Sequence, residues 1–124
     1  MKYEFYNIKG YNCVLRSLSK ILNRDINVVK NELIEVCDNL NINDYNSVEV
    51  FEEYMRRNNI YEISEKQDIK IKDLSLEGGK YIIFCYDKKD FYHMVTIMDN
   101  IVYDKSDESL DLFVIKVYKM SWHY

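Results

Sequence analysis

A change of hydrophobic period at Asn59 limits this chain more than any other feature. Before it, apolar residues recur at three- and four-residue steps; after it, they alternate. The first spacing lines one face of a helix and the second lines one face of a strand. Helices first and strands second is the α+β signature. Pro is absent and Gly occurs 3 times, so Asn, Asp and charge clusters must separate the elements. At 124 residues the chain is long enough to bury a core and is read as a single domain, 1–124.

The first helix is predicted from Cys13 to about Leu22. Asn12 is its N-cap, and Val14, Leu18, Ile21 and Leu22 form its apolar stripe. A second is predicted from about Val28 to Leu40 on Val29, Leu33, Val36 and Leu40, after the Asn23-Arg24-Asp25 cluster. The third opens with the capping-box spacing Asn46…Glu49, followed by Val50, Phe51, Tyr54 and Met55 on one face. Predicted strands are Ile60–Ile63, a short Ile69–Ile71, Tyr81–Tyr86, Phe91–Met98, Ile101–Asp104 and Leu112–Lys119.

Charge and composition exclude several classes. A hydrophobic fraction of 48% with 12 Tyr is not that of a disordered chain. A net charge of -4 lacks the basic footprint of a nucleic-acid binder and the cationic face of a membrane-surface helix. No apolar run approaches the roughly 20 residues of a spanning helix. The start, MKYEFYNIKG, has no signal-like apolar segment. Cys13, Cys37 and Cys85 are odd in number and lack Cys-x-x-Cys spacing, so a disulfide framework is not expected and a reducing cytoplasm is the simplest setting. No cofactor or metal is expected. A zinc site from Cys13, His93 and Asp104 is conceivable but lacks a close-spaced ligand pair.

Chemistry concentrates at Tyr11-Asn12-Cys13-Val14-Leu15-Arg16. A cysteine in the first turn of a helix meets unpaired N–H groups and the positive end of the dipole, which favour the thiolate. Arg16, one turn on, adds positive potential. The competing reading is a small hydrophobe buried at a helix start.

Two histidines could supply a base. His123 is penultimate and is expected to fray with the terminus; His93 lies inside a predicted strand. Asp99-Asn100 is a two-residue turn, since both residue types tolerate positive φ. In that register Met98 faces Ile101 and Val95 faces Asp104, which puts residues 93, 95 and 104 on one side. His93 and Asp104 are then diagonal neighbours, roughly 5–8 Å apart at Cβ. The other residues on that face, Phe91, Val95, Ile97 and Val102, are apolar, so Asp104 needs a partner there. A carboxylate orienting an imidazole beside a nucleophile completes a triad. Alternatively, Asp104 merely ends its strand before the polar loop from Lys105 to Glu108.

The strings YNCVLRSLSKIL (from Tyr11) and HMVTIMDNIVYD (from His93) resemble the papain-like cysteine peptidase superfamily, in its compact bacterial and phage NlpC-type and bacteriocin-leader-peptidase branches. The first is similar to the Asp-Cys-hydrophobic-x-Arg-Ala helix start of small papain-like proteins, the second to the His-hydrophobic-Val…Asp hairpin of leader peptidases. The resemblance implies a papain-like fold, with N-terminal helices followed by an antiparallel sheet, and Cys13, His93 and Asp104 as catalytic residues. It also implies an oxyanion donor a few residues before the cysteine, and Asn7 has a suitable spacing. Asn12 is the competing candidate. The chain departs from the family in having no Gln at that position and Asn rather than Asp, Gly or Ser before the cysteine. It also has Val14, not Trp, directly after the cysteine.

Three functions follow as expectations. One is a cysteine hydrolase acting on a peptide or protein, with deamidation or acyl transfer open to the same triad. Another is a catalytically silent module of the same fold that binds a protein partner. The third is a thiol sensor acting through Cys13. Cys37 and Cys85 are read as buried core residues, and Gly78-Gly79 as a turn.

Overall fold

The computed structural model describes residues 1–64 and 68–121; His123 and residues 66–67 of the mixed-charge loop lie outside them. Three helices, α1 (Cys13–Leu22), α2 (Ile26–Leu40) and α3 (Val48–Arg57), accompany six strands in one sheet. These are β1 (Lys2–Phe5), β2 (Ile60–Ser64), β3 (Lys80–Tyr86), β4 (Tyr92–Met98), β5 (Ile101–Asp104) and β6 (Phe113–Met120), with two short 3-10 turns at Ile71–Asp73 and Asp107–Asp111. The order across the sheet is β1-β5-β4-β3-β6-β2. The fold is therefore mixed α and β. Among the described residues no helix is long and apolar enough to cross a membrane.

The helices pack on one face of the sheet. Leu15, Leu18, Ile21, Val29, Leu33, Phe51 and Met55 meet Ile82, Met94 and Tyr118 there. A second core covers the other face, where Ile83, Cys85, Val95, Ile97 and Val102 close against Ile71 and Leu74. With both faces of the sheet buried, the central strand β3 reads as a nearly continuous apolar run.

The element boundaries follow local chemistry. Asn12 Oδ1 accepts the Leu15 N–H at 3.0 Å and starts α1 as expected. Helix α2 begins at Ile26 rather than Val28, because Asp25 caps it by accepting from the N–H groups of Asn27 and Val28. The expected capping box at α3 does not form. Ser47 holds the cap position without a side-chain bond, and Asn46 Oδ1 accepts instead from Asn12 Nδ2 at 3.0 Å. The short strand expected at Ile69–Ile71 is reduced to one bridge, Lys70 to Phe113, before a 3-10 turn. Strand β1 was not expected. It is short, lies at the sheet edge with most of its residues exposed, and its alternation is limited to Tyr3 and Phe5. Its pairing with β5 is parallel, Lys2 opposite Ile101 and Phe5 opposite Asp104, so the sheet is not purely antiparallel.

Two polar contacts fix α1 against β4. Ser17 Oγ donates to the Met94 carbonyl at 2.9 Å, and Thr96 Oγ1 donates to the Ser17 carbonyl at 2.8 Å, all within the core. Apolar packing alone tolerates sliding, whereas a buried hydrogen bond penalises it by the desolvation of each group left unpaired. The start of α1 is thereby set beside the start of β4.

Leu18, 0% exposed at the centre of the α1 stripe, gives a test of this core. Leu18→Ala is expected to lower unfolding free energy in urea by about 2–5 kcal/mol. The exposed α2 change Asn31→Ala should stay within about 0.5 kcal/mol.

Candidate active site

The turn predicted at Asp99-Asn100 is present, with φ of 51° and 65°. These positive values define a two-residue hairpin turn matched to strand twist. It pairs Met98 with Ile101 and Thr96 with Tyr103, the register that sets His93 and Asp104 on one side. His93 Nε2 and Asp104 Oδ2 are 2.6 Å apart. Their residues are 6% and 4% exposed, so this is a buried charge-assisted contact rather than a surface pair.

Cys13 opens α1 and is half-buried, while Cys37 and Cys85 are buried; all three are free thiols. The imidazole of His93 interacts electrostatically with the Cys13 thiol, and the two residues wall one hollow. The structure thus brings together Cys13, His93 and Asp104. Asn7 is exposed in the loop after β1. It is not among the residues that wall the hollow beside Cys13, and Asn12 is.

That hollow has a volume of about 210 Å³, with Phe51, Phe84, Tyr92 and Met94 as apolar walls. A second, of about 270 Å³, lies against His93 and Asp104, with Phe91 and Leu112 in its lining. The Phe91 ring stacks on the imidazole, centroids 5.5 Å apart. A roomier hollow of about 550 Å³ around Lys20, Arg24 and Lys80 touches none of the three residues.

Electrostatics polarise the cluster. Burial alone would push the Cys13 thiol up. The hydrogen bond and charge of His93, the Met94 backbone and the Arg16 charge outweigh it and bring the thiol below its ordinary 9.0. Burial likewise opposes the His93 cation, yet its bonds and charge interactions with Asp104 and Cys13 raise it to about 9. Asp104 is held below its ordinary 3.8: burial opposes the carboxylate, but the hydrogen bond and charge of His93, the Lys105 N–H and the Arg16 charge prevail. All three shifts run in the direction that favours a thiolate–imidazolium pair backed by a carboxylate. Burial drives Cys37 and, more strongly, Cys85 upward, so both are poor nucleophiles.

Three neighbours surround the His93–Asp104 pair, and their contacts with it were not expected from the sequence. Arg16 points into the protein, with Nη2 3.6 Å from Asp104 Oδ1. Tyr3 donates its hydroxyl to the Asp104 carbonyl at 2.8 Å. Cys85 Sγ donates to the His93 carbonyl at 3.3 Å. Only Arg16 left a trace in the sequence, as a charge one turn from Cys13.

The pH dependence of stability follows from these shifts. A raised His93 stabilises the fold fully below its unfolded value, near 6.5, and this is lost as pH rises through about 9. A depressed Asp104 stabilises it above its unfolded 3.8, and this is lost as pH falls through the folded value. The stability gap between wild type and Asp104→Asn should therefore be widest between about pH 4 and 6.5 and shrink on either side. Urea titrations across pH measure that gap; a flat gap would contradict the pairing.

Comparison with protein-family models, with curated protein sequences and with solved structures finds no match to this chain.

Proposed function

We propose that the chain is a small thiol hydrolase of papain-like type, acting on a peptide or amide bond of a protein or peptide substrate. The observation that carries this reading is the buried 2.6 Å contact of His93 with Asp104, with the same histidine sharing a hollow with a helix-start cysteine. Support also comes from the arrangement of parts: a cysteine-bearing helix lies on a sheet whose adjacent strands carry the base and the acid.

In this mechanism the Cys13 thiolate attacks the carbonyl carbon, and the C–S bond forms as the carbonyl π pair moves to oxygen. The backbone N–H of Cys13 stabilises that oxyanion. A side-chain amide is the second donor; the family resemblance assigns Asn7, and Asn12, which walls the hollow, is its rival. With Nε2 occupied by Asp104, Nδ1 of His93 gives its proton to the leaving amine as the C–N bond breaks. Water, deprotonated by the same nitrogen, then releases the acid from the thioester and restores the pair. If an amine replaces water, the outcome is acyl transfer, and attack on a side-chain amide gives deamidation. A second reading, a protein-binding module of the same fold, draws on the exposed rings of Phe91 and Tyr92 beside the site.

Iodoacetamide labelling with mass mapping across pH tests the reading. Cys13 should label first, with an apparent pKa well under that of a free thiol, and Cys37 and Cys85 only on unfolding. His93→Ala should raise that pKa and slow acyl-enzyme formation from an activated ester by about 10²–10⁴-fold. If Cys13 reacts no faster than Cys85, the site has no nucleophile and the binding module is the better account.

A further inference from the structure

Arg16 is a buried cation to which the mechanism above gives no step. It is 6% exposed and sits one turn after Cys13 on α1. Its guanidinium is divided between two neighbours. Nη1 donates to the carbonyl of Tyr11, just before the N-cap, at 2.8 Å. Nη2 lies 3.6 Å from Asp104 Oδ1, close enough for an ion pair and too long for a good hydrogen bond. The carboxylate is divided in turn, since its other oxygen, Oδ2, meets His93. Asp104 is thus held between two cations from two different elements.

We propose that Arg16 is a positioning residue: its buried fork locks the Asp104 carboxylate in the orientation that holds His93 against Cys13, and ties that carboxylate to the turn that presents the thiol. The inference rests on the triad reading and goes beyond it by adding a fourth member that touches no substrate.

The surroundings leave this task to Arg16. The groups that bear on Asp104 are Arg16 from α1, Cys85 from β3, His93 from β4, the Lys105 N–H, and the Tyr3 hydroxyl on its carbonyl. Among these, His93 and Arg16 alone bring positive charge to its side chain. Tyr6 also feels the Arg16 charge, from the loop after β1. A carboxylate with one oxygen unengaged can rotate, and an imidazole held by a rotating partner loses alignment with its thiol. Arg is suited to this place because a rigid fork spans two acceptors, which an ammonium cannot do in one geometry.

The experiment is a double-mutant cycle read by the pH dependence of Cys13 alkylation in the full chain, with thermal melting recorded for each variant. Arg16→Gln should raise the apparent Cys13 pKa by about one unit, roughly a tenfold slower reaction on the acid side. In an Asp104→Asn background the same change should have less than half that effect, because only the direct charge of Arg16 on Cys13 remains. Arg16→Lys should recover part of the shift, since it keeps the charge and loses the fork. If Arg16→Gln does not fold, Arg16→Lys carries the cycle, again with a shift that shrinks when Asp104 is Asn.

A lowered melting temperature with an unmoved Cys13 pKa would reduce Arg16 to a structural residue and overturn the proposal. Equal shifts in both backgrounds would also overturn it, by showing that Arg16 acts on the thiol directly. A wild-type Cys13 titrating near its ordinary 9.0 would instead remove the thiol-hydrolase reading itself, and this inference with it.

Discussion

Taking an imidazolium and a carboxylate out of water together is tolerable only if each finds the other at hydrogen-bonding distance. His93 and Asp104 meet that condition at 2.6 Å, and much of the surrounding structure serves it. The two residues come from adjacent strands, so the β4–β5 register has to be right. Asp104 ends β5, and that end is covered by β1, whose Tyr3 hydroxyl takes up the Asp104 carbonyl. On the helix side the second carboxylate oxygen meets Arg16. A buried pair of this kind is weak evidence for stability and better evidence that the geometry itself matters.

The thiol is placed by a different device. Helix α1 could pack on the sheet with apolar residues alone, yet Ser17 and Thr96 exchange hydrogen bonds with backbone carbonyls of the opposite element inside that interface. Such contacts contribute little net energy when made and are costly when lost, so they act on alignment more than on affinity. The half-buried position of Cys13 follows from it. Cys85 and Cys37 show the contrast: the same side chain, enclosed in the cores, has its thiolate suppressed by desolvation.

Much of this was legible in the residues because it depends on short-range rules. The α1 boundary and its Asn12 cap, the β4–β5 turn and the facing of His93 and Asp104 all follow from spacing and from residue types that accept positive φ. What escaped depends on neighbours distant in sequence. Strand β1 is too short for the alternation of Tyr3 and Phe5 to mark it, and it forms along the open edge that β5 offers. Asn46 satisfies the local rule for a cap, but Asn12 from another helix competes for its side chain. Asp25 reads as part of the cluster that ends α1, yet the same residue type that ends one helix can begin the next. The inward course of Arg16 is set by a carboxylate 88 positions along the chain, a relation that no local period records.

The Asp99-Asn100 turn leaves β5 only four residues in which to bring Asp104 to its partner's face. Because successive side chains of a strand point to opposite faces, the facing of Asp104 depends on whether the number of residues between it and the turn is odd or even. One residue inserted between Ile101 and Asp104 would carry the carboxylate to the helical side of the sheet and leave the imidazole alone among apolar neighbours. Two inserted residues would restore the facing. Insertions and deletions within this stretch are therefore filtered by parity before they are filtered by size, whereas the loop itself can lengthen and still close on the same flanking pair.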